Sequence, residues 1–248
     1  MPRSSSLRFT IFLLSLLLIV LLILILRSGR HTEQPAAPKG SHPVLSELTP
    51  KPQPKEITFG GCPPEGDGND PALNLLKNRV DEGEYLPVPF DSIVNLSWPR
   101  EIERRKRSLW SESSRRDVAQ YEGIPVEVEG YLAGVKEEGP ESPNCHEEGH
   151  DNHDFHVWLV KKPDDDRNTS IVVEMTPRVR AAHPEWSLGS LRGLVRRREH
   201  VRIAGWLMLD PEHPDQVGKT RGTIWEIHPV MRCETGGGGS WQPLRPPS

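Results

Sequence analysis

Residues 144–158 read NCHEEGHDNHDFHVW and hold four of the chain's ten histidines beside Cys145, one of three cysteines. Imidazole and thiolate are ligands of divalent transition metals, and Cys145, His146, His150 and His153 fall within nine residues, with Asp151 and Asp154 as further oxygen donors. Structural zinc usually takes two paired short spacings. No second pair occurs elsewhere, so a solvated polar loop is the competing expectation. His156 stands apart because it lies inside an alternating run, opposite in parity to Phe155 and Val157. Glu174 is similarly placed among Val172, Val173 and Met175, and Glu226 and His228 share one face of a third run. His156, Glu174 and His228 could form a metal triad or an acid/base group. Parity alone favours separate outer patches.

The elements that must position these residues follow from periodicity. Period-two alternation marks GIPVEVEGYLAGVK, DFHVWLV and SIVVEMTP as strands. WSLGSLRGLVRRREH then predicts a helix capped by Ser187, with Leu188, Leu191, Leu194 and Val195 on one face. VRIAGWLMLD and RGTIWEIHPVM complete the set as two further strands. Upstream, PALNLLKNRVD has a short helical spacing at Leu73, Leu75, Leu76 and Val80, and PREIERRKRSLW predicts a solvated basic helix from Pro99, packed through Ile102 and Leu109. Glycine at 130 and 134 would let the long first strand bend.

Three strands, a helix and two strands resemble the OB-fold, a five-stranded Greek-key barrel, over roughly residues 123–235. The fold class expected is therefore mainly β with some α, with strand five also beside strand one. Residues 58–122 would form a helical and irregular extension, and residues 236–248, rich in Gly and Pro, a flexible tail. The stretches CPPEGDG, LKNR, YEGIPVEVEGYL and WEIHPV are similar to those of uncharacterised bacterial membrane-anchored proteins with such a barrel. That resemblance implies a fold and little chemistry.

Residues 9–26 form an eighteen-residue uncharged run, FTIFLLSLLLIVLLILIL, flanked by Arg3, Arg8, Arg27 and Arg30. At a rise of about 1.5 Å per residue, such a run spans roughly 27 Å, enough for one transmembrane helix. A cleaved signal peptide is the alternative, but the run is long and no small-residue cleavage site follows closely. A signal-anchor would leave residues 1–8 cytoplasmic and the domain periplasmic or extracytoplasmic, on a Pro-rich tether at 27–57. In an oxidising compartment, Cys62 and Cys233 could bridge the domain's ends and leave Cys145 free.

Trp158, Arg178 and Arg202 are the ligand-binding candidates, because exposed aromatics on such a barrel can stack bases while arginines meet phosphates. A net charge of −4 gives no global attraction to polyanions, and nucleic acid is not the expected partner. No P-loop, nucleophile elbow, dinucleotide fingerprint or HExxH motif is present. The reading from sequence is a binding or scaffolding module for an envelope protein or glycan, with no obligatory cofactor. The rival reading is a metal-dependent enzyme, possibly a hydrolase, built on His156, Glu174 and His228 with a divalent transition metal. A periplasm-dependent reporter fused after residue 248 is expected to be active; activity only of a cytoplasm-dependent reporter overturns the orientation.

Overall fold

The computed structural model describes residues 54–245. Among them no helix is long and apolar enough to cross a membrane, and the span expected at 9–26 lies outside them, as does most of the tether. The chain runs through α1 (Pro71–Lys77), β1 (Leu86–Pro87), α2 (Phe90–Val94), α3 (Glu112–Ala119), β2 (Pro125–Glu137), β3 (Phe155–Val160) and β4 (Ile171–Met175). It continues through α4 (Pro177–Arg180), α5 (Leu188–Arg197), β5 (His200–Leu209), β6 (Trp225–Gly237) and β7 (Ser240–Pro243).

Strands β2, β3, β4, β6 and β5 close into a five-stranded barrel. Within the barrel every pairing is antiparallel except β4 with β6, which run parallel with Val172 opposite Glu226 and Val173 opposite Ile227. The last barrel strand thus sits beside the third and fourth strands and not beside the first, which corrects the pairing expected from sequence. Strand β2 serves both sides, pairing with β5 from Pro125 to Tyr131 and with β3 from Tyr131 to Glu137. The hand-over occurs at Gly130, where a Cβ would lie 2.5 Å from the Val160 carbonyl oxygen, so only glycine allows the approach.

The interior is apolar: Val126, Val128, Phe155, Val157, Leu159, Ile171, Val173, Ile203, Leu207 and Ile227 are fully buried. Ser187 caps α5 as its hydroxyl accepts the Ser190 N–H at 3.1 Å, and Leu191 and Leu194 face the core. Both faces of β3 and β4 are buried, with Arg167 over Trp158 and Glu138 against His156, while the N-terminal segment covers the outer tryptophans of β5 and β6. The Arg79 guanidinium lies 3.4 Å over the Trp206 ring, whose Nε1 donates to Asp81 O at 3.2 Å. The Trp225 Nε1 donates to Ser97 O at 3.3 Å, with Tyr121 edge-on.

Two local expectations are corrected. The basic segment after Pro99 forms two 3-10 turns, Arg100–Ile102 and Arg107–Leu109, separated where Arg104 turns into the left-handed region at φ 57°. The Arg104 N–H is drawn out of the helical pattern by Pro211 O at 2.7 Å, and Leu109 is exposed while Trp110 is buried in its stead. The C-terminal glycines do not form a free tail over their whole length: Gly236, Gly237, Gly238 and Gly239 all take positive φ and turn β7 back on β6.

The disulfide also differs from expectation, since Cys62 bonds Cys145 and Cys233 is the free cysteine. Cys233 faces the barrel core from β6, and burial pushes its thiol up to about 12. In the chain-entropy account, a loop of this length contributes about 4–5 kcal/mol. Folded protein is expected to show no maleimide-reactive thiol until unfolded, and Cys145→Ser to lose stability of that order. A thiol reactive in the native state would contradict this burial.

Candidate metal centre

A cleft of about 1010 Å³ opens on the outer face of the barrel. The loop after β2 and the loop after β5 form two of its walls, while residues around α1 and the 104–106 segment form the others. Its floor carries ionisable groups that the strands put side by side. His156 on β3 is in register with Lys136 on β2 and Glu174 on β4. One step past the Val173–Ile227 pair, the parallel register sets Glu174 next to His228 on β6.

The result is convergence where parity alone favoured separation. The His156 Nδ1 lies 3.0 Å from Glu138 Oε1 and 3.1 Å from Glu174 Oε1. The His228 Nδ1 lies 3.7 Å from Glu174 Oε2 and 3.4 Å from Glu226 Oε1, and its Nε2 lies 3.7 Å from Asp154 Oδ2. Among the described residues, two three-ligand groups have their donor atoms within 4.8 Å of one another: Glu138, His156 and Glu174, and Asp154, Glu174 and His228. The His156 Nε2 is buried without a hydrogen-bond partner.

Charge balance explains the ionisation. Burial opposes a charge on His156, but bonds to Glu138 and Glu174 outweigh it and raise its pKa to about 9. Burial would raise Glu174, yet His156 and His228 hold it well below the usual carboxylate range. Burial pushes Glu141 up to about 7 despite Lys77. Burial works against the Lys77 ammonium, but Glu141, Glu174, Asp210 and Glu226 keep it charged. Asp210 joins Arg221 and His213 at 2.8 Å each, and Arg221 also reaches Glu226 at 3.4 Å.

Cys145, His146, His150 and His153 of the histidine-rich loop belong to neither of these groups. Cys145 is held in the disulfide, and His150 and His153 instead each bond Glu137, at 2.8 and 3.0 Å. His146 sits at the cleft mouth, 3.4 Å from Asp67. The proposed stacking residues are likewise occupied. Trp158 is buried under the Arg167 guanidinium at 4.1 Å and beside the His156 ring. Arg178 is buried and donates to Asn78, Asn144 and the carbonyls of Cys62 and Pro63. Arg202 pairs with Glu127 and Glu234. These three therefore present no common exposed face.

Sequence reasoning found His156, Glu174 and His228 but not Glu138, Lys77, Asp210, His213 or Arg221. The available signal was an ionisable residue inside an otherwise apolar strand, since such a group is rarely buried unless it is paired. No family model matches this chain, and no curated protein matches it.

The Asp210–His213 pair stands at the cleft rim, and its hydrogen bond raises the His213 pKa from the ordinary 6.5 against the effect of burial. A pKa raised on folding contributes stability that is present below the unfolded value and lost as pH rises through the folded one. With His213 about half exposed, that contribution is below about 1 kcal/mol. An NMR titration should place His213 above 6.5 and return it toward that value in Asp210→Asn. A wild-type value at or below 6.5 rejects the coupling.

Proposed function

We propose that residues 123–235 are an OB-like barrel whose cleft binds a divalent transition-metal ion through Glu138, His156 and Glu174, and that the site performs hydrolytic chemistry on an anionic substrate. The chain is held at the outer face of a membrane by residues 9–26. The single observation carrying the reading is the meeting of Glu138 and Glu174 at His156 Nδ1, within 3.1 Å, on the floor of an open cleft. A recognition rim alone does not need an imidazole and two carboxylates within coordination reach.

Several features support this reading. The order β2-β3-β4-β6-β5, the parallel β4–β6 pair and the helix before β5 fit the OB plan. Loops after the first and fourth barrel strands rim the ligand face in that plan, and here they flank the cleft. A bound ion of this class lowers the pKa of its water toward neutrality and polarises an oxygen of the substrate. Arg104, Arg105 and Lys106 line the cleft and favour an anion, while His213 is placed to exchange protons. The Cys62–Cys145 bond accords with an extracytoplasmic address.

A second reading keeps the cleft metal-free, as the ligand surface of a binding or scaffolding module for an envelope protein or glycan. It is favoured by Arg221 and Lys77, whose charges balance part of the carboxylate set. Metal analysis of the untagged full chain, purified in detergent and equilibrated with Mn²⁺ or Zn²⁺, separates the two. Stoichiometric metal, with affinity reduced at least about 100-fold in His156→Ala, is expected. A chain that stays empty, with His156→Ala equally stable, leaves the module.

A further inference from the structure

Glu174 has two carboxylate oxygens, and they face different groups. Its Oε1 lies 3.1 Å from His156, on the cleft side, and its Oε2 lies 3.7 Å from His228. His228 is 1% exposed, and neither ring nitrogen has a hydrogen-bond partner. Asp154 is also 1% exposed, and its Oδ2 is equally without a partner. A native fold rarely leaves three buried polar atoms of one cluster unsatisfied.

Their spacing is informative. At 3.7 Å, the ring nitrogens of His228 stand off from Glu174 and Asp154 farther than a hydrogen bond, and Glu226 at 3.4 Å is at its limit. Two ligands each about 2.1 Å from one ion are separated by about 3.0 Å at a right angle and about 3.4 Å at the tetrahedral angle. An ion takes one ring nitrogen of His228, and one donor atom each from Asp154, Glu174 and His228 lies within 4.8 Å of the other two, a spacing that a small shift of the side chains closes around a small cation. Supporting contacts aim the donors: Asn144 donates to Asp154 Oδ1 at 2.9 Å, leaving Oδ2 towards His228, and Arg178 fixes Asn144 at 2.7 Å.

We propose that Asp154, Glu174 and His228 hold a second divalent cation beneath the cleft floor, with Glu174 bridging it to the ion at Glu138 and His156. The inference rests on the metal reading of the cleft and deepens it. Neither Asp154 nor His228 lines the cleft, so the second ion would act through Glu174, fixing its carboxylate at the ion that meets the substrate. Imidazole with carboxylates favours Mn²⁺, Fe²⁺ or Zn²⁺ over Ca²⁺.

The test is Mn²⁺ titration of the full chain in detergent, read by elemental analysis and by electron paramagnetic resonance. Two ions per chain with a spin-coupled spectrum are expected. His228→Asn and Asp154→Asn should each leave one ion with an uncoupled spectrum, and Glu174→Gln should abolish the coupling. If His228→Asn does not fold, the near-isosteric Asp154→Asn, checked by its melting temperature, decides alone. One ion per chain, lost in His156→Ala but unchanged in Asp154→Asn, overturns the second site and leaves the first. No bound ion overturns both.

Discussion

The parallel pairing of β4 with β6 is the constraint on which the rest depends. It closes the barrel, and the same two register pairs that close it put Glu174 beside His228. Had β6 paired with β2, these side chains would have been separated by the width of two strands. The register also decides which face is ionisable. A slip of one residue would turn Glu226 and His228 into the apolar interior and Ile227 outwards, at the cost of unpaired buried charge.

Several ionisable groups placed on one barrel face must be offset, and the N-terminal extension supplies much of what offsets them. Asn78 and the carbonyls of Cys62 and Pro63 hold Arg178, which orders Asn144 and through it Asp154. Lys77, one residue before Asn78, brings a positive charge to the carboxylates of the floor. Arg79 packs on Trp206 instead. Three consecutive residues, the end of α1 and its cap, thus do three different jobs, each on a different part of the barrel. The extension is part of the site's electrostatics and not a covering added to a finished domain.

Much of the fold was legible because the barrel strands alternate cleanly. Val126 and Val128 against Glu127 and Glu129, or Ser187 ahead of Leu191 and Leu194, carry local signals that survive packing. The segment after Pro99 failed as a helix because one backbone donor, that of Arg104, found a better acceptor on a distant loop. Distance along the chain also hid the disulfide: spacing cannot show that Cys145 turns towards Cys62 while Cys233 faces the core. At the site, parity identified His156, Glu174 and His228 as facing one way on their own strands. It could not show that neighbouring strands align them, nor that Glu138, just beyond the end of β2, joins them.

The order in which these strands leave the ribosome has a consequence of its own. The partners of Glu174 come from both sides in sequence, Glu138 and His156 before it and His228 more than fifty positions after it. Until β6 is made, β4 has an open edge beside a carboxylate meant for burial, and Ser97 lacks the Trp225 indole that donates to its carbonyl. Contacts this remote must wait for loop closure, so the barrel closes late in synthesis. A nascent chain arrested before β6 would expose an unpaired strand edge and a charged floor together, and would be a substrate for chaperones or proteases from its first moment.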